Sequence, residues 1–425
     1  MPPGRKVAVV GGGWAGLAAA VEATRCGARV TVFEMARQLG GRARGLTIDG
    51  FPLDNGQHIC IGAYTETLRL MRDVGVTEDQ AFLRMPLRLE YPDRSGLRLR
   101  GGPAPLAFSE AVLRHRTWTL REKTSLLMAA ARWAVSGFRC DPALTVARLA
   151  QHLPKRVRDD VIDPLCVAAL NTRAEVASAA VFLRVLGDAL FSAPGSADLL
   201  LPRVSLGDAL PAPAARWLTA AGASVRIGHR VVALGATPTG FEVDGERFDG
   251  VVLATPPSVA AGLTRLAAPA WSNVAEGLRY EPIVTVYLHS AGTMLPAPML
   301  ALRSDAASPA QFVFDRGQLG GPPGLLAFVI SGAADWVEAG TAPTLEATCR
   351  QAESALGPLL CATPKAVQVV TEKRATLRCT PELRRPIMEI APNLVAAGDY
   401  VDGPYPSTLE GAVRAGIAAA RSLSR

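Results

Sequence analysis

"VAVVGGGWAGLAAAVEA" runs from Val7 to Ala23, directly behind the basic start "MPPGRK". Two readings compete for it. A positive head, an apolar core and small trailing residues fit a secretory signal. Gly11, Gly13 and Gly16 fit the G-x-G-x-x-G turn that opens a nucleotide-binding βαβ unit. Signal cores favour leucine, whereas this one holds four glycines. The nucleotide reading accounts for each residue in turn. "KVAVV" (Lys6–Val10) is a short buried strand. Gly11 permits the tight turn out of it, Gly13 lets the backbone approach a pyrophosphate, and Gly16 lets the helix pack close to the strand. The helix, opened by Gly13, Trp14 and Ala15, presents free N–H groups and a positive dipole end to the phosphates. It runs to about Cys26 and stops at Gly27. "RVTVF" (Arg29–Phe33) is the next strand. It ends in Glu34, 23 residues after Gly11, close to the spacing of about 20 for the acid that bonds the ribose hydroxyls. An acid here disfavours a 2′-phosphate. The stretch reads as a dinucleotide cradle.

The bulk composition agrees with a folded two-domain protein. The chain has 425 residues, 49% of them hydrophobic and 20% charged. No apolar run reaches about 18 residues, so no spanning helix is expected. Seven scattered cysteines form no C-x-x-C and no ligand spacing, which points to a reducing compartment without disulfides or a metal site. The net charge of +7 is concentrated: Ala111–Arg158 holds ten Lys/Arg against two acids. A solvated helical face is the plain reading of that segment. Nucleic acid is disfavoured because the aromatics do not interleave for stacking. Docking on an anionic membrane is the third reading, with Trp118, Trp133 and the stripe Leu126, Leu127, Ala130 inserting at the interface.

Further motifs decide which dinucleotide. In "QLGGRARG", Gly40 and Gly41 either bring the chain against the cofactor, with Arg42 placed to pair with its phosphates, or form a plain glycine loop with a solvated arginine. Asp54-Asn55-Gly56 is a turn signal. Gln57 and His58 follow where backbone meets a ring system, although His58 as a bare pattern is a turn histidine. The far end, Asn393–Leu423, reads as strand, Gly398-Asp399, loop and helix. Asp399 is placed to hold the sugar-alcohol chain of a flavin. Ser407 or Thr408 caps the last helix, whose first turn at Thr408 and Leu409 aims N–H groups at an anionic ring edge. A two-ended site of this kind suits FAD.

The Glu34 fingerprint, "GGR", the "GD" terminus and "ASVRIGHRVVAL" (Ala223–Leu234) resemble the flavin amine oxidase/phytoene desaturase superfamily. More narrowly, Leu53–His58, "PLCVAALNT" (Pro164–Thr172) and Gly398–Ala412 resemble the squalene-associated FAD-dependent desaturases, or hydroxysqualene dehydroxylases. The resemblance covers nearly the whole chain. Gly12 stands where alanine is common in such fingerprints, a departure read as harmless. The resemblance implies an α/β fold: a Rossmann-like FAD-binding domain of glutathione-reductase type with a discontinuous α+β substrate domain. The FAD domain is expected at 1–83, 203–275 and 385–425, and the substrate domain at 84–202 and 276–384. Val231 is expected to touch the adenine through its backbone. The implied substrate is a long apolar isoprenoid, hydroxysqualene, dehydroxylated to squalene in bacterial hopanoid synthesis by hydride from reduced flavin N5 to an allylic carbon. The implied setting is cytoplasmic, peripheral to the membrane face, alongside the enzymes of squalene synthesis. A carotenoid-type desaturase, an amine oxidase and a lipid carrier remain alternatives.

"FEV" and "ERF" around Asp244-Gly245 form a type I′ hairpin, and "GVVLA" returns as a buried strand ended by Pro256-Pro257. "PIVTVYLHS", "QFVFDR", "LLAFVIS" and "AVQVV" are strands of the substrate domain. Helices are expected over 109–136, 157–170 and 174–191. The apolar residues from Val161 to Phe191 read as simple core, and the resemblance implies instead that they line a long tunnel. Loss of hydroxide calls for an acid, and the candidates are His58, Asp54 and Glu410. His58 is the first choice. Glu410 is read as a helix-dipole acid, and Asp54 as a residue that holds its turn. No second dinucleotide fingerprint is present, so the reductant of the flavin stays open.

Overall fold

A computed structural model describes residues 4–48 and 50–424. Met1–Pro3 of the basic start, Asp49, the terminal Arg425 and the side chain of Phe191 lie outside what it describes.

The opening strand, Lys6–Val10, lies third in a six-stranded sheet. Its neighbours are Arg29–Glu34 on one side and Gly250–Leu253 on the other, both parallel to it. Ser224–Ile227 and Leu394–Ala396 extend the sheet outward, again parallel. Glu389–Ala391 closes one edge antiparallel. A parallel sheet must be covered on both faces. On one face the Ala-rich helices Trp14–Arg25 and Leu409–Ser422 pack so closely that a Cβ on Gly416 would stand 2.1 Å from the Ala15 carbonyl. On the other lie the hairpin Gly240–Phe248 and the helices Pro257–Thr264 and Pro269–Glu276. Asp244 and Gly245 take φ of 46° and 85°, the left-handed pair that a type I′ turn requires.

The second sheet has five strands in the order Met299–Ala301, Phe312–Asp315, Leu325–Ile330, Tyr280–His289, Lys365–Leu377, every neighbour antiparallel. The alternation in "PIVTVYLH" sorts its residues by face. Val284, Val286 and Leu288 join the cluster around the helix Thr341–Leu356, while Ile283 and Tyr287 face the other way, toward Leu53 and Phe314. The short strand Leu199–Pro202 pairs with both Cys60–Ile61 and Phe82–Met85, so a small sheet stitches the two halves together.

A helical lobe completes the molecule, and here several expectations are corrected. The stretch expected as one helix over 109–136 is two, Ala104–Leu113 and Leu120–Val135. The break has a local cause: Thr119 and Glu122 form a reciprocal capping box that starts the second helix. The helix expected from Ala174 begins at Ala179, with Ser178 as its N-cap. Within 155–170 the backbone passes through a π-helical turn, Arg158–Ile162. The proposed insertion stripe is core. Trp118, Trp133 and Leu126 are 5%, 8% and 1% exposed, Leu127 and Ala130 pack against the same cluster, and the Trp118 indole donates to Asp160 at 2.9 Å. The apolar run was real, but it faces inward.

Candidate active site

The glycines of the first turn are fixed by steric demand. Gly11 has φ 113°, and a Cβ on it would stand 2.4 Å from the Ala254 carbonyl oxygen. A Cβ on Gly16 would stand 1.9 Å from the carbonyl oxygen of Gly11, which no side chain tolerates. Gly13 forms a parallel bridge with Gly40, and its Cα lies 3.4 Å from where a Cβ on Gly41 would stand. Two glycine backbones therefore meet at the sheet edge and leave a groove floor without side chains. At Gly12, Leu39 Cδ2 lies 2.4 Å from the place of a Cβ, so the leucine fills the room an alanine methyl would take.

Glu34 ends its strand buried, 8% exposed. Its two carboxylate oxygens accept from the Gly12 and Ala36 N–H groups, each at 2.7 Å. Each oxygen keeps a further lone pair for a sugar hydroxyl. Val231 lies in the segment that follows the outer parallel strand. That segment is held against Glu34 by the Gly228 and His229 N–H groups, which donate to Ala36 and Glu34 carbonyls.

The other end of the groove is set by the last strand. Asp399 follows Leu394–Ala396 and is 9% exposed. Its carboxylate lies 2.5 Å from the Arg42 guanidinium, which also donates to the Ala375 carbonyl at 2.8 Å. Gly398 has no room for a side chain, because the Tyr400 ring lies 2.5 Å from the place of its Cβ. Thr408 caps the final helix, its hydroxyl accepting from the Gly411 N–H at 2.9 Å, and Leu409 is the first helical residue. Ser407, the other capping candidate, takes φ 58° and accepts from the Leu377 N–H instead. Glu34 and Asp399 thus stand at the carboxyl edges of strands three steps apart, roughly 14 Å at 4.8 Å per step. The Gly13–Gly41 floor and Arg42 bridge the space between.

The residues after the turn at Asp54 are less like a catalytic pair than expected. Asp54 is 3% exposed, accepts from the Leu206 N–H at 2.9 Å and faces Arg316 at 4.0 Å. Burial, opposed by these two partners, raises its pKa above the ordinary carboxylate range. Gln57 accepts from Arg316 at 3.1 Å. Arg316, itself 6% exposed, went unnoticed in the sequence because 259 residues separate it from Gln57. His58 is half-buried, with Nδ1 2.9 Å from the Gly56 carbonyl. A carbonyl only accepts, so Nδ1 carries the hydrogen and Nε2 of the neutral ring keeps its lone pair. Burial lowers the imidazole pKa below its usual value. A proton donor at neutral pH needs the opposite on both counts. Glu410 is fully buried and is also not poised as an acid. It accepts from the Glu66 and Thr67 N–H groups and the Thr67 hydroxyl, and it pairs with Arg414. It serves the start of the neighbouring helix Thr65–Asp73 as well as its own.

Whether these residues fit FAD can be tested on polar atoms that the protein leaves unanswered. Among the described residues, the hydroxyls of Thr255, Thr285 and Tyr400 and Arg44 Nε are buried without a hydrogen-bond partner. Thr255 stands two residues past the end of the central strand Gly250–Leu253, Tyr400 adjoins Asp399, and Thr285 Oγ1 lies 3.6 Å from the place of a Gly56 Cβ. Buried orphans are rare; of the eight such side-chain atoms among the described residues, three, the hydroxyls of Thr255, Thr285 and Tyr400, adjoin the groove's own residues. The sequence signal for Thr255 was available: it stands at the carboxyl end of a parallel strand, where α/β sheets bind ligands. Ile59 and Ile61, which follow His58 in the chain, are half-buried and pack with Leu83, Leu165 and Ile283 on one apolar cluster, with Leu165 also touching the helical lobe.

A glycine cradle and a buried acid at one end, with an aspartate and a capped helix at the other, fit an FAD-binding oxidoreductase. The chain belongs to the family described as flavin containing amine oxidoreductase, whose profile matches residues 14–424. It is 29% identical over 439 residues to the hydroxysqualene dehydroxylase of Rhodopseudomonas palustris, covering 98% of this chain and 97% of that protein. To the protein of that name from Sinorhizobium fredii it is 26% identical over 440 residues, with the same coverage. Among solved structures, cyclohexylamine oxidase from Brevibacterium oxydans IH-35A superposes with a TM-score of 0.73 at 15% identity over 99% of both chains, a likeness of fold. The protein is an FAD-dependent oxidoreductase.

Proposed function

We propose that the protein removes the hydroxyl of hydroxysqualene reductively, giving squalene. The observation that carries this reading is the end-to-end similarity to proteins of that name, which includes the helical lobe and the second sheet as well as the FAD half. The aliphatic group Ile59, Ile61, Leu83, Leu165 and Ile283 supports it, because a long hydrocarbon is held by burial and not by charge. In the balanced reaction the carbon–oxygen bond breaks, the hydroxyl leaves as water after taking a proton, and a hydride fills the carbon. Reduced FAD, when bound, supplies that hydride.

The protein's share is orientation, exclusion of water and control of a proton. Glu34, Thr255 and the Gly11–Gly16 turn would hold the nucleotide half, and Arg42, Asp399, Tyr400 and the capped helix at Thr408 the ring half. His58 is the residue proposed to meet the substrate hydroxyl. Its Nδ1 is committed to Gly56, so Nε2 accepts the O–H hydrogen and aligns the alcohol. Its protonated form is confined to the acid side because burial opposes the charge. Asp54 supports this loop from behind, through Leu206 and Arg316.

The test is anaerobic incubation of the flavin-loaded protein, reduced by dithionite, with detergent-dispersed hydroxysqualene, followed by product analysis. Squalene is the expected product, formed only with reduced flavin. Hydroxysqualene left untouched, while a polyene or an amine bleaches the oxidised flavin, would replace this reading with a desaturase or an amine oxidase.

A further inference from the structure

The surface that the helical lobe turns outward is unusual for a water-soluble face. Fourteen large apolar side chains are well exposed among the described residues, and five of them fall within 104–135: Leu106, Leu113, Leu120, Met128 and Val135. An even spread over 425 residues would place about one there. Three share the helix Leu120–Val135, and at 100° per residue their positions can be compared directly. Leu120, Thr124, Met128, Ala131 and Val135 fall within an arc of about 80°. All five are exposed. The arc lies opposite Leu126, Ala129 and Trp133, which face the core. The helix is therefore apolar on two sides, and only one is covered. Leu106 and Leu113, two turns apart on the preceding helix, share a side of it. The end of that helix is tied to the next by Lys123, whose ammonium donates to the Leu113 carbonyl at 2.7 Å.

Cations surround this strip. Arg121 and Arg132 border the arc on one side, and Arg116 lies in the loop between the helices. All three are exposed, and none has a carboxylate partner within ion-pair distance among the described residues. Exposed aliphatic groups beside unpaired arginines fit one kind of partner, a bilayer with anionic headgroups. The aliphatic groups enter the acyl boundary while the arginines meet phosphates. A second copy of the chain would set arginines against arginines in a two-fold contact. A nucleic acid would leave Leu120, Met128 and Val135 without a use. The helix is about 24 Å long, sized to lie in the interface, and no helix among the described residues is long and apolar enough to cross it. Immediately beyond Val135 a cleft opens between Phe138–Cys140 and the helix Ala179–Phe191, lined by Ala180, Arg184 and Gly187.

We infer that the outer face of Leu120–Val135, with Leu106, Leu113 and the flanking arginines, docks the protein on an anionic membrane surface. Its purpose, access to a water-insoluble substrate, rests on the proposed reaction, whereas the surface itself does not. The probe is flotation of the flavin-loaded protein with vesicles of phosphatidylcholine containing 30% phosphatidylglycerol, against phosphatidylcholine alone. Each lipid-facing cation strengthens binding about fivefold. Arg116→Gln, Arg121→Gln and Arg132→Gln combined should therefore weaken partition into anionic vesicles roughly 100-fold. A second variant, Leu120→Ser with Met128→Ser and Val135→Ser, should weaken it at least tenfold while keeping the flavin spectrum. Equal flotation of both variants and the parent, equal binding to neutral vesicles, or retention only by RNA overturns the inference. Turnover of detergent-dispersed hydroxysqualene reads the reaction separately: it is unchanged in these variants if docking alone is lost, and absent from the parent too if the proposed reaction is wrong.

Discussion

Replacing Glu410 separates a structural clamp from a catalytic acid. Its carboxylate is fully buried and accepts three hydrogen bonds from Glu66 and Thr67 at 2.8–3.1 Å, with the Arg414 guanidinium at 2.6 Å as a fourth partner. In Glu410→Ala the Thr67 N–H and hydroxyl, both in a fully buried residue, lose their acceptor. Each orphan costs roughly 1–3 kcal/mol. Arg414 is partly exposed and turns to water, so its pairing adds little. The total is roughly 3–5 kcal/mol. Glu410→Gln keeps one oxygen for Thr67 but sets an amide NH2 against Glu66 N–H and Arg414, at a cost of roughly 2 kcal/mol. An unfolding entropy of about 2.1 cal/mol/K per residue makes 1 kcal/mol worth roughly 1 °C for a chain of this length that unfolds as a unit. The expected falls in Tm are therefore about 2 °C for Gln and about 4 °C for Ala, followed by release of flavin fluorescence. Surviving folded Gln protein should turn over within about threefold of the parent. Unchanged Tm and full flavin content together with lost turnover would make Glu410 the proton donor and refute the clamp.

Three further outcomes are expected. Gly16→Ala drives a methyl into the Gly11 carbonyl, so the purified protein should lose most of its absorbance near 450 nm relative to 280 nm. Arg42→Ala and Asp399→Ala should each weaken FAD binding, and because the two side chains contact one another the double variant should fall short of additivity by roughly 0.5–3 kcal/mol in titration calorimetry. His115 is buried against Trp118 with both ring nitrogens unpartnered, and burial holds its pKa below 6.5. The folded state therefore resists a proton that the unfolded chain accepts. Stability should fall as pH drops from about 6.5 toward the lower folded value, and His115→Phe should flatten that part of a Tm-versus-pH curve.

The fingerprint was legible because it is local and made of backbone. Gly11 and Gly16 are dictated by φ or by a carbonyl five residues back or across one strand pair, and the strand–helix–strand around them is written in consecutive residues. The end of the chain was legible for the same reason, with Thr408 a cap and Leu394–Ala396 a short apolar strand. What composition could not show was which side of an apolar helix faces water. Leu120–Val135 is aliphatic on two sides, and the tryptophans drew attention to the buried one. The capping box at Thr119 and Glu122 was written plainly in the sequence, and it ends the notion of one long helix.

The partners of the carboxylates were not legible for a different reason, and it bears on the reaction. Asp54, Glu410 and Asp399 each find their partners 152, 343 and 357 residues away, so the sequence offered the charges without what neutralises them. Once paired, Asp54 and Glu410 prove to be braces between chain segments. Close to His58 a further carboxylate stands, Glu372, which accepts from the Asn55 amide at 3.1 Å. If His58→Ala abolishes hydroxysqualene turnover between pH 7 and 8 and imidazole restores it, the proton does pass through this ring and the argument for an orienting histidine fails. If turnover persists with a raised KM, the ring positions the alcohol and the proton comes from water.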